Sequence, residues 1–155
     1  MGKLFIIAIV LFLIGFIIEL TKNDNKNNKK SELKYKIKQN IMTINEQKFI
    51  KQLNPKIEEK NLIIIPQIQL QSIFESENIT SFNKIKAKSI DFAIVDKNYN
   101  YKIFIELDDT THNQQKRIKR DKFINELFKN YNLKLLRIKV KNDYTNEINK
   151  ILEVI

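Results

Sequence analysis

The chain has 155 residues, no cysteine, one histidine, two glycines and a formal net charge of +10. This length holds one modest domain and an appendage. The missing cysteines exclude disulfides and thiolate-bound metal centres, and the single His112 excludes a multi-histidine site. With Gly2 and Gly15 as the only glycines, there is no Walker A loop and no Rossmann fingerprint.

Leu4 to Ile18 is uncharged and apolar throughout. A membrane-spanning helix wants about 20 apolar residues and tolerates slightly fewer. Counted from Gly2 to Leu20, with Lys3 reaching back to the interface, the stretch reads as a short transmembrane anchor over 1–20, contacting the membrane through residues 4–20. A cleaved signal peptide is the rival, but no small-residue cleavage site follows. Residues 21–41 carry seven lysines between Thr21 and Asn40 against Asp24 and Glu32. They read as a flexible basic tether near anionic headgroups, and the lysine excess puts the C-terminal side in the cytoplasm.

The globular part is expected over 42–155. Thr43-Ile44-Asn45-Glu46 matches a capping box, with Thr43 as N-cap and Glu46 three residues on. The helix it opens is expected to run to about Leu53, burying Phe49, Ile50 and Leu53, and to end at Asn54-Pro55. Leu62 to Leu70 reads as a strand, and Pro66 marks it as an edge or a bulge. Gln71 to Lys88 reads as an irregular excursion with a helical turn near Ile73 to Glu75. It ends in a lysine-rich run that includes Lys86 and Lys88.

Ser89 to Asp109 is the most informative stretch. Ile90 to Asp96 and Tyr101 to Asp108 read as two strands joined by the polar loop Lys97-Asn98-Tyr99-Asn100. Counting back from an Asp96–Tyr101 pair puts Asp91 opposite Glu106. Alternation puts Asp108 on the same face as Glu106, with Ile103, Ile105 and Leu107 on the other. Like charges on facing strands destabilise a sheet. A divalent cation, a nearby Lys or Arg, or a bound proton offsets that repulsion, unless the acids are simply solvated.

Beyond Asp109, Thr110-Thr111-His112-Asn113 offers N-cap residues for a helix over Gln114 to Asn130. Its apolar face is marked by Ile118, Ile124, Leu127, Phe128 and Tyr131, with Asp121 on or beside it. Lys116, Arg117, Lys119, Arg120 and Lys122 make its first half basic. Lys134 to Val140 reads as a last strand, and Asp143 to Ile155 as a closing helix. The helix between Asp108 and Leu133 is long enough to cross over to a parallel strand. The fold class is therefore α/β, an α-β-β-β-α-β mixed sheet behind one N-terminal transmembrane helix.

That order of elements resembles the PD-(D/E)XK, restriction-endonuclease-like superfamily. More narrowly, Ser89-Ile90-Asp91-Phe92, Ile105-Glu106-Leu107-Asp108-Asp109-x-x-His112, the basic run into Asp121 and Leu135-Leu136-Arg137-Ile138 look like the bacterial domain of unknown function 2726. That group is similar to very-short-patch-repair endonucleases. The resemblance covers about Thr43 to Val140. It implies a DNA-endonuclease-like phosphodiester hydrolase, with Asp91 and Glu106 binding Mg²⁺ or Mn²⁺ and the Leu107 carbonyl assisting; the apolar span and its lysines would hold it at the cytoplasmic face of the bacterial inner membrane. Asp108 joins the expected catalytic and metal-binding set, although the superfamily motif has lysine there. His112 is expected to take an acid–base part, with Glu46, Asp121 and Arg137 supporting. Lys86, Lys88 or Arg137 stands in for the missing lysine. Lys86, Lys88, Lys116, Arg117 and Arg120 are the expected nucleic-acid contacts. The alternative is a module on the same fold that binds nucleic acid or protein without turnover.

Overall fold

A computed structural model describes residue 2 and residues 10–19, 34–108 and 114–155, with the side chains of Gln114 and Lys116 excepted. The chain divides into two units, Met1–Lys38 and Gln39–Ile155. In the first, residues 10–19 are helical and their apolar side chains are exposed. Among the described residues no helix is long and apolar enough to cross a membrane. Residues 4–9 of the expected anchor lie outside the described residues, as do most of the tether, Asp109 and the expected caps Thr110 to Asn113, His112 among them.

The second unit opens with helix α1 (Ile44–Glu59). Its capping box is complete: Thr43 Oγ1 accepts the Glu46 N–H at 3.3 Å, and Glu46 Oε2 accepts the Thr43 N–H at 2.7 Å. The helix does not stop at Asn54-Pro55 but runs through Pro55. Pro55 forfeits one intrahelical bond, yet its position is exposed, and continuing the helix buries Ile57 in line with Phe49 and Leu53. The stop is Asn61, whose φ of 59° lets the Leu62 N–H close on the Ile57 carbonyl at 3.1 Å.

Strand β1 (Ile63–Gln69) follows, with Pro66 on an edge strand as its missing donor requires. The excursion after it is more regular than expected. A 3₁₀ turn spans Leu70–Ser72, and a helix, α2 (Ile79–Ile85), is capped by Asn78 Oδ1 on the Ser81 N–H at 2.8 Å. The helical segment thus lies after Ile73 to Glu75, where an N-cap side chain is available to satisfy its first donors.

Strands β2 (Ser89–Val95) and β3 (Tyr101–Asp108) form the central antiparallel pair. The loop-end partner of Tyr101 is Val95, not Asp96, and the register shifts by one residue between Ile94 and Val95. Asp96 is occupied instead in the loop, accepting the Asn98 and Asn100 N–H groups at 2.9 and 3.0 Å. Past the shift, Phe92 pairs with Ile105, and one more step sets Asp91 across from Glu106. Helix α3 (Gln114–Asn130) then crosses over to β4 (Leu135–Lys139), parallel to β3, and α4 (Thr145–Val154) closes the chain. The sheet order is β1-β2-β3-β4.

Both faces of the sheet are covered. Phe92, Ile94, Ile103, Ile105 and Leu107 pack with Phe49, Leu53 and Ile57 of α1 and Ile148 and Ile151 of α4. Ala93 and Phe104 pack with Ile124 and Phe128 of α3 and with Leu70, Phe74 and Ile85. Glu106 lies on the face that α3 covers.

Candidate functional site

Glu106 keeps only 3% of its surface exposed, while Asp91 and Asp108 are half-buried. Alternation along β3 explains the local geometry. The Phe104 N–H bonds Lys134 of the β4 side at 2.9 Å, so the backbone groups of Leu107 turn the other way, toward β2. There the ladder has ended, and Asp91 Oδ2 accepts the Leu107 N–H at 2.7 Å in place of a backbone carbonyl. Asp91 thus closes the hairpin with its own carboxylate.

Burial, above all, raises the Asp91 pKa; Glu46 and Asp108 add to this, while the Leu107 bond and Arg120 oppose it. Glu106 is pushed up to about 7, again chiefly by burial and then by the charge of Asp91, against the pull of Arg120 and Arg137. Glu46 is 8% exposed and close enough to act on Asp91, so the capping residue doubles as part of the acidic surroundings.

The compensating charge comes from α3 and β4. Arg120 Nη2 lies 3.0 Å from Glu106 Oε1 and donates at the same distance to the Ser89 carbonyl. Its Nη1 lies 3.3 Å from Asp121 Oδ1. Arg137 donates to Asp108 Oδ1 at 2.8 Å, to Asp121 Oδ1 at 3.2 Å and to Asn125 Oδ1 at 2.9 Å. Arg117 lies 3.8 Å from Asp108 and 3.9 Å from Asp121. Asp121 is the hub that three guanidinium groups share.

Helix geometry accounts for the gathering. At about 100° per residue, Arg117, Asp121, Ile124 and Phe128 fall within roughly a 60° sector of α3, with Arg120 at its border. One stripe is thus apolar over the core and charged over the hairpin end. Ile118 lies outside that sector and is 62% exposed, and Tyr131, past the helix end, is 65% exposed, so neither belongs to the buried face expected of them.

The structure brings Asp91, Glu106, Arg120, Asp121, Arg137 and Asp108 into one region, but in two subsets. Half-buried Asp91 faces buried Glu106, which Arg120 covers, while Asp108 is held by Arg137 and Arg117. Among the described residues no three Asp, Glu, His or Cys side chains are grouped as a metal cage. Lys88 turns away: its Nζ bonds the Lys84 carbonyl and sits 5.3 Å from the centroid of the Phe123 ring. Lys86 caps the exposed end of α2. His112 and the Lys116 side chain lie outside the described residues. Sequence reasoning set Arg120 among the nucleic-acid contacts and missed its place on Glu106; the available signal was its position beside Asp121 on the inward stripe of α3.

Fold and site together define a mixed four-stranded α/β domain that carries a facing acidic pair, buried at Glu106, at the end of its central hairpin. Residues 38–155 match the family model described as protein of unknown function (DUF2726), and the chain belongs to that family. The match takes in α4 as well as the motifs. No curated protein and no solved structure matches the chain.

Proposed function

We propose that the domain is a divalent-metal-dependent phosphodiester hydrolase of the restriction-endonuclease-like class, acting on nucleic acid. The observation that carries this reading is the half-buried Asp91 carboxylate facing the buried Glu106. Two facing carboxylates under an apolar sheet are costly, and a hard cation with oxygen ligands is the partner such a pair suits. The donor set fits Mg²⁺ or Mn²⁺. Asp91 Oδ1 and Glu106 Oε2 accept no hydrogen bond from the described residues, and strand alternation turns the Leu107 carbonyl, like its N–H, toward β2. Mg²⁺ typically takes one or two carboxylates and keeps several waters, so a third acid is not required.

A bound cation of this kind supplies a more acidic water and charge for the phosphate. Asp91 and Glu106 hold it, and the Leu107 N–H fixes the Asp91 carboxylate in orientation. Asp108 and Asp121 hold Arg137 and Arg117 as a positive rim. Lys86 and Lys116 add phosphate contacts on the basic side, and His112, whose unperturbed pKa is about 6.5, carries the proton. The apolar run of residues 4–20 attaches the protein to the inner membrane, with the domain on the cytoplasmic face.

The test uses the full chain with single- and double-stranded DNA and RNA in Mg²⁺ or Mn²⁺. Cleavage that needs the cation and disappears in Asp91→Ala and Glu106→Gln supports the reading. Cleavage unchanged by both substitutions removes the site assignment. A second reading, a binding module without turnover, is favoured by Asp108 standing where the superfamily has lysine; metal-independent binding with no cleavage of any substrate form selects it.

A further inference from the structure

We infer that Arg120 is the working cation of the site: it neutralises Glu106 in the metal-free protein, releases that carboxylate to a divalent cation, and then binds the substrate phosphate. This rests on the hydrolase reading above. Three features of the structure support it.

Among the described residues Arg120 is the one side-chain cation in direct contact with the acidic pair, at 3.0 Å from Glu106 Oε1. Arg137 bonds Asp108, Asp121 and Asn125, and Lys88 the Lys84 carbonyl, so neither touches Glu106.

The second feature is asymmetry of burial. The Arg120 side chain is about a third exposed, whereas the carboxylate it covers is almost fully buried. Arg120 therefore reaches Glu106 from the solvent side, the side from which a cation and a polynucleotide arrive. Its departure leaves an opening to water, not a void in the core.

Third, Arg120 has a place to go. Nη1 lies by Asp121 Oδ1 at 3.3 Å and Nη2 also donates to the Ser89 carbonyl at 3.0 Å, so the side chain stays tethered when Glu106 is given up. A planar guanidinium with freed donors matches two phosphate oxygens at once. Arg120 and the metal thus compete for one carboxylate, and substrate phosphate resolves the competition by engaging both.

The experiment compares the full chain with Arg120→Gln and Arg120→Lys at pH 8. Mn²⁺ affinity is measured by calorimetry without nucleic acid, and single-turnover cleavage is measured at saturating Mn²⁺. Arg120→Gln is expected to bind Mn²⁺ several-fold more tightly, because the competitor is gone. Its cleavage at saturating metal is expected to fall about 100-fold, the scale of losing one preorganised charge-stabilising donor. Arg120→Lys is expected to keep a Mn²⁺ affinity near wild type and recover part of the rate. Unchanged or weaker Mn²⁺ binding in a folded Arg120→Gln protein overturns the inference, as does an unchanged rate at saturating metal; if that protein fails to fold, a wild-type rate in Arg120→Lys overturns it. Those results leave the hydrolase reading standing. A wild-type protein that neither binds Mn²⁺ nor cleaves removes the hydrolase reading itself.

Discussion

Replacing Glu106 with glutamine keeps the shape and the acceptor facing Arg120 but removes a charge held under α3. The carboxyl titrates near 4.5 when exposed and is pushed up to about 7 here, chiefly by burial and the Asp91 charge. Over that interval the folded state holds a proton that the unfolded state has released, so stability falls as pH rises from about 4.5 to about 7 and is level above. At about 1.4 kcal/mol per tenfold change, the full penalty at pH 8 is about 3 kcal/mol. The Glu106 side chain is only 4% exposed, so solvent screening takes little from that figure. Metal-free Glu106→Gln is therefore expected to be more stable than wild type at pH 8 by up to about 3 kcal/mol, with the difference shrinking toward zero at pH 4.5. Urea unfolding of both proteins in the presence of a chelator, from pH 4.5 to 8.5, measures it. Taking the difference between the two proteins cancels groups such as Asp143 and Glu147, whose lowered pKa values make them lose stability as pH falls. A wild-type–variant difference that does not change with pH, or that favours wild type at pH 8, refutes the reasoning.

Phe49 is fully buried, with ring centroids 5.5 Å from Phe92 and 4.9 Å from Tyr144, so Phe49→Ala is expected to cost about 3–5 kcal/mol in chemical denaturation. Pro55→Ala restores a donor to the interior of α1 and is expected to raise the melting temperature, provided the lost rigidity of the unfolded chain does not cancel it; a lower melting temperature counts against a continuous helix through this position. Asp108→Asn leaves Arg137 with Asp121 and Asn125 but weakens a partly exposed ion pair, for an expected loss of about 1 kcal/mol in thermal unfolding.

The hairpin was legible because the alternation of Ile90 to Val95 and Ile103 to Leu107 admits one register that buries both sets of apolar residues. The pairing assumed at the loop end was one residue off, yet the strand shift after Ile94 restores the Asp91–Glu106 match. Capping chemistry was equally local, as Thr43 with Glu46 shows. The continuation of α1 through Pro55 was not legible, because it depends on a burial site for Ile57 that β2 and β3 provide from far along the chain. The role of Arg120 was hidden for a related reason. Composition marks a basic run, but only the rotation of α3 on the sheet decides which of its cations turns inward. Likewise Asp108 alternates onto the Glu106 face as expected, while the neighbour that claims it, Arg137, comes from a strand 29 residues later in sequence.

The parallel crossover also orders events in time. The β2–β3 hairpin closes through a short loop, whereas Arg120 and Arg137 reach it only after α3 has traversed and β4 has docked. A folding chain therefore passes through a stage in which Asp91 and Glu106 face each other with no arginine between them. Protonation of the pair eases that stage, so refolding is expected to slow as pH rises through the range in which the pair loses its proton. If contacts made by Arg120 form after the barrier, their loss speeds unfolding more than it slows refolding. Stopped-flow measurements across denaturant concentration separate the two arms, and a refolding arm slowed as much as unfolding is hastened places α3 docking before the barrier instead.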